Sequence, residues 1–395
     1  MLSRRWLQVF AVSMFINTSY GTLSYAFSVL ITKSGPGGEF GAGFVSFGFG
    51  VALLVSGLAG IFAGTVADVF GTRRLMALGA ITGAAGLSLL GASQHGWQFL
   101  VVMALVVGPA MAATFYEPVY VLMNRWFTAA DRPRAYGVLT LLSGFSITIY
   151  TPLTRWLVDA LGWREAVGVL GLILLTVGLL VPAVIREPME GPSATQPRSP
   201  RAFVRESRDG LRHTTPAFWA FTVAFFFGTL ALSGFSFHMV SQLETRGFDK
   251  ASVANAIAIT GIVSLPARLV LPILSGRAPG AVLLAACLAL LGVASILASM
   301  AGEWWQVWLY IAVFGAVFGA VYPLRALVIA ERFAGPYFGR VVGIQALFVA
   351  FARASGPVVI GAIGTGQADY EFGFRAAAVV LFVAAAATWF TLRRV

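Results

Sequence analysis

The chain has 395 residues, of which 58% are hydrophobic and 11% charged, with a mean hydropathy of +0.84. Soluble domains carry about 25% charged residues, so this composition excludes a water-facing surface. The formal net charge of +11 raises nucleic acid as a partner. The basic residues are dispersed rather than gathered into a patch, which excludes that class and leaves orientation in a lipid bilayer as their use.

Apolar runs of about 20 residues or more recur along the chain, each enough to cross a hydrocarbon core of about 30 Å. They predict an all-α membrane protein with twelve transmembrane helices in two pseudo-symmetric six-helix bundles. The first run, 6–32, is too long for the apolar region of a cleavable signal peptide and stays as a span. Its face carries Asn17, Tyr20, Gly21 and Ser24, with Tyr25 in the stretch YAFSVLI (25–31). The second span, 41–67, leads into GTVADVFGTRR (64–74), which holds Gly64, Asp68, Gly71, Arg73 and Arg74. Glycines permit a tight turn between helices there, and the aspartate can accept from helix N-terminal amides or from arginine. In the third span, 74–93, Gly79, Gly83 and Gly86 form a ladder that suits close helix packing. The fourth span, 97–123, sets Glu117 on a polar stripe with Thr114, Tyr120 and Asn124. Spans at 135–160 and 163–185 complete the first half.

Residues 186–215 are polar and rich in Pro, Ser and Arg, as linkers are. They divide an N-terminal bundle (1–185) from a C-terminal bundle (216–395). The later spans are 216–240, 251–275, 280–300, 304–330, 341–363 and 374–392. Phe127, Arg134 and Gly137 recur as Phe333, Arg340 and Gly343, and YEP (116–118) falls near YP (322–323), which supports a duplication. Arg4, Arg5, Arg73, Arg74, Arg125, Arg132, Arg134 and Arg186 share one side with the linker arginines Arg198, Arg201, Arg205, Arg208 and Arg212. Arg277, Arg332, Arg340, Arg393 and Arg394 join them. By the positive-inside rule that side is cytoplasmic, with both termini on it.

Four ionisable residues stand at membrane depth: Glu117, Arg268 in the eighth span, Arg325 in the tenth and Arg353 in the eleventh. Arg cannot escape burial by losing its proton, so such residues face a partner, a cavity or a substrate path. Three cations against one acid call for an anion. Arg268 offers a planar fork to a carboxylate, with Ser264 one turn earlier on the same face. Glu117 has two open roles, an ion pair with Arg325 or proton exchange. Tyr20, Tyr25, Tyr322 and His238 supply hydrogen bonds to an anion or pack between helices. The single cysteine, Cys287, excludes an intrachain disulfide, and His95, His213 and His238 give no metal-ligand spacing. No metal and no cofactor is expected. Neither a nucleophile–base pair nor a phosphate-binding loop stands out, so the chain does not read as an enzyme.

The segment 64–74, with twelve spans and a central basic linker, resembles the major facilitator superfamily, whose motif between the second and third spans gates conformational exchange. SLPARLVLP (264–272) is similar to the eighth-span segment of monocarboxylate porters, in which an arginine binds the substrate carboxylate. That resemblance places the role on Arg268. YAFSVLI is similar to their first span, although Val29 and its neighbours lack the porters' lysine and Ser264 stands for their aspartate. Oxalate:formate antiporters use a second cation in the eleventh span, a place that falls to Arg353.

The sequence thus reads as a monomeric secondary transporter of small organic anions, monocarboxylates first, working by alternating access with proton coupling or exchange. Two other readings stay open: proton-coupled multidrug or metabolite efflux, and a membrane sensor without transport. Arginine outnumbers lysine 25 to 2, which suggests a bacterial inner membrane.

Overall fold

The structure, a computed structural model, describes residues 4–32, 34–186, 214–333, 338–364 and 370–393. Arg394 and all but the edges of the expected linker, with its five arginines, lie outside the described residues. Twelve membrane helices follow in order. They are α1 (residues 4–30), α2 (Gly37–Val69), α3 (Thr72–Ala92), α4 (Gly96–Trp126), α5 (Arg132–Leu161) and α6 (Trp163–Val184). After the linker come α7 (Pro216–Thr245), α8 (Lys250–Leu274), α9 (Gly280–Met300), α10 (Trp304–Arg332), α11 (Phe338–Gly364) and α12 (Glu371–Arg393). No strand occurs among the described residues. Ten of the helices are long and apolar enough to cross a membrane. Of the other two, α1 is interrupted by a π-turn at Gly21–Tyr25, and the apolar part of α8 is Ile259–Leu274.

Helix ends follow local chemistry. Between α2 and α3 the chain turns at Gly71 with φ 91°, a conformation that L side chains resist. Thr215 caps α7 by accepting from the Phe218 amide, ahead of Pro216, and Asp249 caps α8 from the Ser252 amide. The α-helical part of the second span begins at Ala42, beside the expected 41, after a π-turn at Gly37–Gly41 that ends on Gly41 with φ 90°; Glu39 in that turn accepts from the Arg164 fork at 2.6 and 2.8 Å. Inside the helices Ser13, Ser19, Thr22 and Thr114 donate to the carbonyl four residues back, so these hydroxyls are satisfied without a cavity.

Prolines set the breaks. Pro118 and Pro323 cannot donate to the carbonyls of Thr114 and Gly319, four residues back. There α4 opens at Phe115, which is extended, and α10 opens at Gly319–Ala320. Pro357 leaves the Arg353 carbonyl of α11 without its helical donor, and the Ser233 hydroxyl of α7 fills the place at 2.8 Å.

The chain divides into two compact units. The first takes Met1–Thr128, Leu142–His213 and Ala334–Leu347; the second takes Ala129–Leu141, Thr214–Phe333 and Phe348–Val395. The start of α5 therefore belongs with the second unit and the start of α11 with the first. Within the first unit α3 packs on α6 and α2 on α4; within the second α9 packs on α12 and α8 on α10, the same pairs one repeat later. Ring pairs repeat too: Trp6 and Phe127 stand 5.5 Å apart, as do Phe218 and Phe333. The glycine ladder of α3 sits against neighbours, since a Cβ at Gly79 would come 2.6 Å from Ala113 and one at Gly83 2.9 Å from Leu174. Large apolar side chains such as Trp97, Leu105, Val184 and Phe237 are exposed, as a lipid-facing surface requires.

Candidate functional site

In the first unit the 64–74 motif meets the start of α11. Asp68 Oδ1 accepts from the Gly339 amide and Oδ2 from the Arg340 amide, both at 3.1 Å. These are first-turn N–H groups of α11, so Asp68 caps that helix from another part of the chain. The capped turn lies close because both backbones lack side chains. A Cβ at Gly64 would fall against the Gly339 carbonyl, and one at Gly343 against the Gly60 carbonyl. Gly60 and Gly64 thus face Gly343 and Gly339 as two small-residue ladders. The Arg125 guanidinium stands 3.8 Å from Asp68, and Arg340 also acts on that carboxylate. Arg340, counted from the sequence among the inside-facing cations, is 0% exposed. Arg73 turns elsewhere, donating to the Pro182 carbonyl at 2.7 Å, and Arg74 is exposed.

The second unit holds the three arginines expected at membrane depth. Arg268 lies at the break of α10: a Cβ at Gly319 would come 2.8 Å from Arg268 Cγ. Its carbonyl accepts from Thr140 at 3.2 Å, while its buried Nε has no acceptor among the described residues. Just past the break, Arg353 lies over the Tyr322 ring at 5.9 Å, and Tyr322 meets Phe225 edge-on at 6.4 Å. Arg325, 2% exposed, lies 5.9 Å from the other partner, Phe225. Arg353, Tyr322 and Arg325 are therefore joined through Phe225, a residue the sequence did not single out. The carboxylates of this unit, among the described residues, all stand at helix ends: Asp131, Glu244, Asp249, Glu303, Glu331 and Glu371. Its mid-helix charge is positive.

The other expected site residues each make contacts within their own unit. Asn17 is 4% exposed and donates to the Leu142 carbonyl at 3.2 Å, while Ser146 donates to the Asn17 carbonyl, tying α1 to α5. His238 stacks on Tyr370 at 4.7 Å, with Nε2 at 2.8 Å from the Pro357 carbonyl, tying α7 to α11. Tyr20 and Tyr25 lie in a ring cluster in the first unit with Phe115 and Tyr116. Glu117, half-buried, is in the first turn after the α4 break. It belongs to the first unit and Arg325 to the second.

A duplicated twelve-helix membrane chain, with a helix-capping aspartate in the last turn of α2 and cations inside its later helices, has the build of a membrane carrier. Residues 6–298 match the family model of the Major Facilitator Superfamily, and the chain belongs to that family of transporters. Monocarboxylate transporter 13 of Bos taurus is 28% identical over 221 residues, 54% of this chain and 48% of that one. The probable galactarate/D-glucarate transporter GudP of Bacillus subtilis (strain 168) is 25% identical over 204 residues, 49% of this chain and 43% of that one. The chain spans about half the length of these curated relatives. The crystal structure of the human organic anion transporter MFSD10 (TETRAN) superposes with a TM-score of 0.78 over 98% of this chain and 100% of that one, at 14% identity. That likeness shows the fold.

Proposed function

We propose that the protein is a secondary active transporter of small organic anions, monocarboxylates first, that works by alternating access between two six-helix halves. The observation that carries this reading is Arg268, whose buried Nε–H lacks an acceptor among the described residues at the point where α10 is broken. Burying a donor unsatisfied costs about 1–3 kcal/mol, more for a charged group, and a carboxylate accepting from the guanidinium offsets that cost. Substrate sites near discontinuous helices are the usual arrangement in secondary transporters. Arg325 and Arg353 raise the local positive potential, and Glu117 either exchanges protons or holds one state closed. Asp68 gates the exchange by capping α11. The membrane is a bacterial inner membrane with both termini in the cytoplasm.

Counterflow of labelled formate, lactate, pyruvate and oxalate into proteoliposomes tests the reading, with and without a pH gradient. Uptake should fall at least about 100-fold in Arg268→Ala and nearly as far in Arg268→Lys, which keeps the charge and loses the fork. Full uptake in Arg268→Ala, or none of any carboxylate in the parent protein, would sink it.

A further inference from the structure

Outside the arginine contacts, α7 carries hydroxyls that its own backbone does not satisfy. Thr222 and Thr229 are each 1% exposed, and neither Oγ1 has a hydrogen-bond partner among the described residues. A buried threonine in a helix ordinarily donates to a carbonyl one turn back, and burial without a partner is unfavourable. In α1 that pattern holds: Ser13, Ser19 and Thr22 donate to the carbonyl four residues back, and Thr18 accepts from the Tyr150 hydroxyl. Ser236, seven residues beyond Thr229 and half-buried, adds a third α7 hydroxyl whose Oγ is buried without a partner among the described residues.

Spacing and neighbours fix where these hydroxyls point. Seven residues are nearly two full turns, so Thr222, Thr229 and Ser236 lie in one line along α7. Around the helix that line runs between Phe225 and Phe226. Phe225 faces α10, against the Tyr322 ring and the Arg325 guanidinium. Phe226 faces α11, 6.4 Å from Phe351, and Ser233, two turns further along the same side, donates to the Arg353 carbonyl. The hydroxyl line is therefore turned between the two helices that carry Arg325 and Arg353. Arg268 meets α10 at Gly319, just before Tyr322. All of these residues belong to the second unit. The Gln242 amide is also buried without a partner among the described residues, but it lies about 140° round the helix from Thr229 and off the line.

We propose that Thr222 and Thr229 are specificity residues that bind hydroxyl groups of the transported acid, which makes the substrate a polyhydroxy acid rather than an alkyl one. This rests on the carboxylate reading above and narrows it. A substrate hydroxyl both donates and accepts, so it meets a threonine hydroxyl in either sense. Length follows from the spacing. At a rise of about 1.5 Å per residue the two threonines stand about 10 Å apart along the axis, and a hydrogen bond of about 2.8 Å at each end leaves about 5 Å between the substrate oxygens. Hydroxyls about four bonds apart on an extended carbon chain span that distance, and a six-carbon aldonic acid has them where lactate does not. Water is the rival occupant, because it also completes buried hydroxyls.

Counterflow of labelled gluconate into proteoliposomes, with unlabelled gluconate and hexanoate as competitors, tests the assignment. Gluconate should compete at least about tenfold more strongly than hexanoate. Thr222→Val and Thr229→Val remove a hydroxyl at nearly constant shape, and each should cut that ratio about three- to tenfold, as the loss of one neutral hydrogen bond does. Thr222→Ser and Thr229→Ser keep a hydroxyl and should keep the ratio, which separates recognition from a folding defect. Carriage of lactate or pyruvate with no preference for gluconate over hexanoate overturns the hydroxyl contacts and leaves the carboxylate reading standing. A ratio that survives both valine variants assigns the hydroxyls to water and overturns them too. If no carboxylate is carried, both readings fall.

Discussion

Replacing Asp68 with Asn tests the capping of α11 at the level of single amides. The carboxylate takes two N–H groups, Gly339 and Arg340, each at 3.1 Å. Hydrogen bonds to a charged group contribute about 1.5–3 kcal/mol each. Asn keeps one acceptor oxygen and turns an NH2 toward the other amide, so one bond is lost and the other becomes neutral. A loss of about 2 kcal/mol follows, or about 30-fold in the opening equilibrium of that turn. Arg125 and Arg340 also lose the charge they face, which adds to the effect. Hydrogen exchange of the 338–347 peptide, read by mass spectrometry in nanodiscs, should speed up about 30-fold in Asp68→Asn. Exchange in α9, remote in sequence, should not move. A change under about threefold at 338–347 would mean that the turn is held by other contacts, and the gating role assigned to Asp68 would fail with it.

Gly64→Val should lower the thermal midpoint and abolish uptake, since its Cβ meets the Gly339 carbonyl, a backbone atom that cannot rotate away; overpacking of this kind costs about 1–3 kcal/mol. Gly50→Val adds the same volume where nothing lies within 4 Å and should leave both unchanged, so equal effects at the two sites would refute the close-approach argument. Ser233→Ala leaves the Arg353 carbonyl without a donor beside Pro357, at a cost of about 1 kcal/mol, read as a midpoint lower by about 2 °C in a thermal-shift assay. An unchanged midpoint would show that water replaces the hydroxyl.

The helices were readable because apolar length alone specifies a span, while the breaks in α4 and α10 were not expected: YEP and YP read as a sign of duplication, and their prolines stand at those breaks. Asp68 was readable as a group for helix amides or arginine, but not which ones. Its amide partners lie about 270 residues away in sequence, and the arginines that act on it are Arg125 and Arg340, which local spacing does not reveal. One signal was available: Gly339 and Gly343 repeat the four-residue spacing of Gly60 and Gly64, as helices in close contact do. Arg340 was counted among the cations of the cytoplasmic side, and only the fold reveals that it is buried. Asn17 and His238 read as ligand groups because a polar side chain in an apolar run invites a substrate. In the structure each meets a carbonyl of a neighbouring helix, a contact that periodicity cannot express. Phe225 was lost among 32 phenylalanines.

The arginines inside the later helices, Arg325 buried and Arg353 exposed, also bear on how the chain enters the bilayer during synthesis. An arginine at the centre of a lone helix raises its insertion free energy by about 2.5–3.5 kcal/mol. Arg325 lies inside α10 and Arg353 inside α11, with Tyr322 and Phe225 as their ring neighbours. Phe225 belongs to α7, made some 100 residues earlier. Partitioning of α10 one helix at a time forgoes that shelter, so the nascent α7 has to be retained beside the translocon until α10 emerges. Arg325→Leu should then integrate more readily than the parent sequence when α10 is presented alone, and no differently when α7 precedes it.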